Sequence, residues 1–249
     1  MVVIESTEVE KELLMRVKDS VAFVTGANRG LGLAFAKALL AGGARKVYAA
    51  AREPASVALV GVTKIRLDVT NPQEIAAAAQ EARDVDLLIN NAGVARGAAF
   101  LGADSVAAAR AEMETNYFGP LLVSRAFAPV LAANGGGAIL NVLSVLSWLS
   151  FPSSATYGAS KAAAWSLTNG LRNELAGQKT QVAGLHVGYM DTDMASDISA
   201  PKSRPEDVVR LALEALEAGS EEILADEISR SVKKGLSNDK GVYIGLPGR

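Results

Sequence analysis

Short, unbroken apolar runs alternate along this chain with longer stretches of helical period. Residues 21–24 form a run of strand length that ends at Thr25-Gly26. From Leu31 to Leu40 the apolar positions Leu31, Ala34, Phe35, Ala38 and Leu39 fall on one helical face, and Gly42-Gly43 stops the pattern. Further strands are predicted over 46–51, 62–67, 85–89, 138–142 and 181–187, with a weak seventh over 222–225. Between them the spacing predicts a helix opened by Pro72, a long helix over 105–132, another over 155–175, and one from Pro205 to about Leu216. Alternating strands and helices imply parallel βαβ units. Strands covered on both faces read as continuous apolar runs rather than as alternation. The predicted class is α/β, a doubly wound parallel sheet of about seven strands with helices on both faces.

A length of 249 residues suits one domain over 1–249. Residues 1–18 are read as an N-terminal extension and 237–249, which lack periodicity, as a mobile tail. With 49% hydrophobic and 21% charged residues, the chain is neither a disordered polymer nor a membrane bundle. No apolar run approaches the roughly 20 residues of a spanning helix. The first residues carry Glu5, Glu8, Glu10 and Glu12 where a secretory signal has a basic start and an apolar block, so a cytoplasmic protein is expected. There is no cysteine, which excludes disulfides and thiolate chemistry. One histidine, His186, excludes a multi-histidine zinc site, and no carboxylates have ligand spacing, so no metal is expected. His186 ends an apolar run and reads as a structural histidine. A net charge of −2 without a dense basic stretch predicts no nucleic-acid partner.

Between the first strand and helix lies Thr25-Gly26-Ala27-Asn28-Arg29-Gly30-Leu31-Gly32. Glycines there permit a tight turn and let backbone N–H groups approach a pyrophosphate at a helix N-terminus. The spacing is G-x-x-x-G-x-G, without the Gly-Lys-Ser/Thr of a P-loop.

Five features in order resemble the short-chain dehydrogenase/reductase family across nearly the whole chain. They are this glycine loop, Asn90-Asn91-Ala92-Gly93, Asn116 in the long helix, Ser144 after the fifth strand, and Tyr157-Gly158-Ala159-Ser160-Lys161. Thr192 matches a further threonine, whereas Val187 stands where the family has proline before Gly188. The resemblance implies a Rossmann-type fold, a nicotinamide cofactor and interconversion of a ketone or aldehyde and an alcohol. It implies that Tyr157 is the general acid/base, that Ser144 orients the substrate oxygen, that Lys161 also binds the nicotinamide ribose, and that Asn116 holds a water of a proton relay. It places Gly26, Asn28, Arg29, Gly30, Leu31, Gly32, Arg52, Asp68, Val69, Asn91, Ala92, Gly93, Gly188, Met190 and Thr192 along the cofactor. A homodimer or homotetramer is expected.

Independently of any family, Tyr157 and Lys161 are four apart and share a helix face. An ammonium beside a phenol favours the phenolate, which predicts a lowered tyrosine pKa. Large apolar residues just after Ser144 (Leu146, Trp148 and Phe151), with Tyr189 and Met194 from the segment that the family resemblance makes a substrate lid, predict a mostly apolar small-molecule substrate. Arg96 reads as a solvated loop arginine. In the family, NAD users carry an acid at the position of Ala51, and NADP users often carry arginine right after it. Arg52 therefore predicts NADP(H), with Arg29 as a second phosphate partner and Glu53 as a complication. Alternatives are a specialised steroid, sugar or acyl-substrate dehydrogenase, or a non-catalytic NADP-binding sensor. The sensor is disfavoured by the retained tyrosine and lysine.

Overall fold

The computed structural model describes residues 15–195 and 199–245. Most of the expected N-terminal extension and the last four residues of the expected tail lie outside these. Seven parallel strands form one sheet: β1 Val21–Thr25, β2 Lys46–Ala51, β3 Thr63–Arg66, β4 Leu87–Asn90, β5 Gly137–Val142, β6 Thr180–His186 and β7 Glu222–Leu224. Their order is β3-β2-β1-β4-β5-β6-β7. The order reverses between β1 and β4, which leaves a crevice beyond their carboxyl ends, the usual ligand position in such sheets.

The helices are α1 Gly30–Ala41, α2 Pro72–Glu81, α3 Ser105–Met113, α4 Gly119–Ala133, α5 Ala155–Leu175, α6 Pro205–Glu217 and α7 Glu227–Gly235. Successive residues of β1 point to opposite faces. Ala22 and Val24 join Leu31, Phe35 and Leu39 of α1 and Val209, Leu213 and Leu216 of α6. Val21 and Phe23 face the other layer, with Ile75 of α2, Val123, Phe127 and Leu131 of α4 and Leu171 of α5. Met15 and Val17, from the end of the expected extension, are buried in the first layer, and Val17 N donates to Glu217. No helix among the described residues is long and apolar enough to cross a membrane.

Two departures from the predicted elements shape the site. The helix expected over 105–132 is broken by a π turn, Glu114–Phe118, which contains Asn116. Pro120 has no N–H to give the carbonyl of Asn116 four residues back. The ladder shifts to a longer bond there, Gly119 N to Glu114 O. The second departure is α7, which had no predicted counterpart because only Ile228 and Val232 are apolar within it. Asp226 caps it by accepting the Ser229 N–H at 2.8 Å. A third apolar cluster sits beneath it, where Val145, Leu146, Trp148 and Leu149 pack on Val232.

Candidate active site

The first turn of the crevice is held by a small polar staple. Thr25 Oγ1 accepts the N–H groups of Asn91 (2.9 Å) and Ala92 (3.0 Å), and Asn91 Nδ2 donates back to the Thr25 carbonyl at 2.9 Å. This locks the ends of β1 and β4 together. Gly26 and Gly30 have φ +65° and +53°, the left-handed region that favours glycine. A Cβ on Gly32 would lie 2.2 Å from the Gly26 carbonyl oxygen. Gly32 therefore serves the close approach of α1 to the loop.

Beyond this loop opens a cleft of about 390 Å³. Of the residues expected along a cofactor, Gly26, Asn28, Arg29, Gly30, Leu31, Arg52, Asp68, Val69, Asn91, Ala92, Gly93, Tyr157, Lys161, Met190 and Thr192 line it. Gly32 and Gly188 do not. Gly188 turns toward α7, where its N–H donates to Asp226 Oδ2 at 2.6 Å. With Val187 in place of a proline, this bond ties the segment after β6 to the C-terminal helix. Val94 and Thr115 also line the cleft.

At one end of the cleft, Arg29 pairs with Asp193 at 2.9 Å, both largely exposed. Such a pair contributes about 0.2–1 kcal/mol, so exchanging it for another anion costs little. Glu53 is occupied by its own turn, capping the Ala55 N–H at 3.4 Å. Burial works to raise the Asp68 carboxyl, but the bonds it accepts from Thr70 outweigh this and hold it below its ordinary range, with Arg52 and Arg66 adding smaller pulls in the same direction.

At the other end, β5 and the start of α5 bring Ser144, Tyr157 and Lys161 together. Burial pushes the Tyr157 phenol up to about 12; a hydrogen bond with the Ser144 hydroxyl works against this, and the Glu112 carboxylate adds to it. Burial holds the Lys161 ammonium down to about 8, and the group donates to the Val142 carbonyl at 2.9 Å. The expected lowering of the phenol is thus reversed in the free protein. Lys161 Nζ is 5.8 Å from the ring centroid and turned to a backbone oxygen, so desolvation wins. The Asn116 amide is committed elsewhere: Oδ1 accepts from Val94 N, and Nδ2 donates to Val94 O and Ser160 Oγ, all at 2.9 Å. Its side chain ties the π turn to the loop after β4 and to α5, so a relay water would have to be held by its backbone.

A buried ammonium has a consequence for stability. Burial lowers the Lys161 ammonium from its ordinary range to about 8, so folding with the group charged carries a cost at neutral pH. Lys161→Met should unfold at the same or a higher temperature at neutral pH. Wild type should gain on it as pH rises from about 8 to about 10.5, where only the unfolded chain keeps the proton. Thermal melts across that range test this. A variant melting well below wild type at neutral pH would contradict it.

The residues expected against the substrate divide. Leu146 and Trp148 are buried, Trp148 stacking on His186 with ring centroids 3.9 Å apart. Phe151 packs against the same cluster. Their size and apolarity match the core under α7, which was not visible in the sequence. Met194 lines the cleft and is 57% exposed, while Tyr189 is 40% exposed outside it. His186 is fully buried, as a structural histidine should be, with its Nδ1 3.3 Å from the Ser144 carbonyl. Among the described residues no group of three or more His, Cys, Asp or Glu is arranged to hold a metal ion.

The sequence pattern of the short chain dehydrogenase family matches residues 20–203. The chain belongs to that family. It is 44% identical to a short chain dehydrogenase from Burkholderia cenocepacia J2315 whose crystal structure is in complex with NADP; the likeness covers 91% of this chain and 96% of that one, with a TM-score of 0.88. It is 37% identical over 206 residues to the galactitol 2-dehydrogenase (L-tagatose-forming) of Cereibacter sphaeroides, covering 78% of this chain and 79% of the relative. An uncharacterized oxidoreductase of Staphylococcus saprophyticus is 30% identical over 224 residues, 83% of this chain and 95% of that protein.

Proposed function

We propose that this family member is an NADP(H)-dependent oxidoreductase that interconverts a ketone or aldehyde and an alcohol, with Tyr157 as the proton donor and acceptor. The observation that carries this is the meeting of Ser144, Tyr157 and Lys161 at one end of a glycine-lined cleft. The cleft suits a dinucleotide: at Gly26 a side chain would lie 3.0 Å from Ala92 Cα, so the loop is kept bare, and Arg29 and Arg52 bring two cations to its far end. Gly26, Gly30, Asn91, Gly93 and Thr192 would flank the cofactor, Asp68 and Val69 its adenine end, and Tyr157 and Lys161 its ribose. When bound, the cofactor supplies the hydride.

The chain supplies the proton. A phenol held up to about 12 is protonated at neutral pH, the form that can donate to a carbonyl oxygen. Ser144, whose hydroxyl stands beside that phenol and lowers its pKa, orients the oxygen. In the reverse direction Tyr157 must first lose its proton. Alcohol oxidation should therefore accelerate with pH between about pH 6 and pH 9, while carbonyl reduction does not. Initial rates in both directions across that range test the assignment; an oxidation rate independent of pH would oppose it.

The direct test is NADPH consumption against a panel of aldehydes and ketones. The apolar side chains still open to the site, chiefly Met194, favour an apolar small molecule. A second reading, a polyol or sugar dehydrogenase, is favoured by the 37% identity to a galactitol 2-dehydrogenase and by the burial of Leu146 and Trp148 away from the cleft. The panel should therefore include polyols with NADP⁺. Exposed Phe100, Leu101, Val106 and Phe118, beside and along the long helices, suit a homo-oligomer.

A further inference from the structure

Apart from adding to the rise that burial gives the Tyr157 phenol, Glu112, the most deeply buried acid beside the site, has no role in the chemistry above. Glu112 lies in the last turn of α3 and is 0% exposed. Its Oε1 accepts the backbone N–H groups of Arg96 at 2.8 Å and Gly97 at 3.0 Å. Its Oε2 has no hydrogen-bond partner among the described residues. Burying a carboxylate is costly, and the cost is offset only where its bonds matter.

Those bonds lead to Tyr157. Gly97 has φ +61°, the left-handed region, and the chain turns there so that the next residue reaches α5. Ala98 N donates to Thr156 Oγ1 at 3.1 Å, and Thr156 N donates to the Ala98 carbonyl at 3.2 Å. The first N–H groups of a helix need acceptors from outside it. In α5 the N-cap residue Ser154 makes no such bond with its side chain. The Ala98 carbonyl supplies one instead, at the residue immediately before Tyr157.

We propose that Glu112 is a positioning residue for Tyr157: by gathering the N–H groups of Arg96 and Gly97, it fixes Ala98 as the acceptor that caps the first turn of α5. This rests on the reading of Tyr157 as proton donor. Glu112 itself touches neither substrate nor cofactor in this role. Its effect falls on the placement of the phenol and leaves the glycine loop alone.

The test compares Glu112→Ala and Glu112→Gln with wild type for kcat in carbonyl reduction, NADPH affinity by direct titration, and melting temperature. Displacing a catalytic group slightly lowers turnover by about 10- to 100-fold, and that loss is expected for Glu112→Ala with NADPH affinity little changed. Glu112→Gln keeps an oxygen that can accept both N–H groups and should recover most of kcat. Wild-type kcat in folded Glu112→Ala, or a Gln variant as impaired as the Ala variant, would overturn the proposal. If Glu112→Ala does not fold, Thr156→Val removes the other end of the same connection. A fall in kcat at unchanged NADPH affinity would support the proposal, and wild-type kcat would overturn it. Tyr157→Phe run alongside separates the two readings. If that variant stays active, the catalytic role of Tyr157 fails. If it is inactive beside a fully active Glu112→Ala, only the role of Glu112 fails.

Discussion

Replacing Tyr157 with Phe is expected to lower kcat by at least about 10²-fold, the low end for general acid catalysis, while NADPH still binds. The substitution keeps the ring, which packs against the cluster of Val145, Leu146 and Trp148, and removes only the hydroxyl. The fold should therefore survive. The lost hydroxyl is the one that burial pushes up to about 12 and that therefore carries a proton at neutral pH. Without it, the Ser144 hydroxyl can still orient the substrate oxygen, but no group remains there to transfer a proton, since Lys161 is turned to the Val142 carbonyl. Steady-state reduction kinetics and an NADPH titration on the same preparation measure both halves. Wild-type turnover in the variant would refute the mechanism, and a parallel loss of NADPH binding would mean that the ring or its hydroxyl serves the cofactor instead.

Arg52→Ala should weaken NADPH binding by about 10- to 150-fold and leave NADH nearly unchanged. A hydrogen bond to a charged group contributes roughly 1.5–3 kcal/mol, and only NADPH brings a 2′-phosphate for the guanidinium to bind. Arg52 is the stronger candidate of the two cations, because Arg29 must first leave Asp193. Glu53 does not neutralise Arg52 by a direct ion pair; its carboxylate caps the turn at Ala55. Ala51→Asp should go further. Ala51 ends β2 and lines the cleft, so a carboxylate there would repel the phosphate and offer NADH an acceptor. Dissociation constants for both cofactors on wild type and both variants decide the matter. A wild type that prefers NADH, or an Arg52→Ala variant with unaltered NADPH affinity, would sink the assignment.

The fold was legible because its central strands are buried on both faces. The run Val21 to Val24 has no polar residue to confuse its reading, and all seven strands lie within a residue or two of their predicted positions. The helix over 155–175 matches at both ends. The glycine loop, Asn91, Ser144, Tyr157 and Lys161 were legible for a different reason. Each does local work with one residue type at one spacing, such as a glycine at positive φ or a phenol one helical turn from an ammonium.

The tertiary structure decided what depends on residues distant in sequence. The π turn at Asn116 follows from Pro120, yet its use became visible only when Val94 and Ser160 were found on the amide. Glu112 shares the buried stripe of Ala108 and Asn116 at a spacing of four, a signal present in the sequence but silent until Arg96 and Gly97 were placed against it. Leu146 and Trp148 belong to the core only because α7 covers them, and a mostly charged nine-residue helix gives little periodicity to read. The pKa of Tyr157 turned on the same distinction. Spacing places Lys161 on the same helix face, but depth of burial and the direction of its Nζ are properties of the folded whole. By itself the sequence determined the sheet, the loop and which residues are candidates for the reacting groups, because those are set by local pattern. Which large side chains face the cleft, which carboxylate gathers the loop beside α5 and how burial acts on the phenol were decided by packing, because desolvation and long-range hydrogen bonds exist only after the chain has closed on itself.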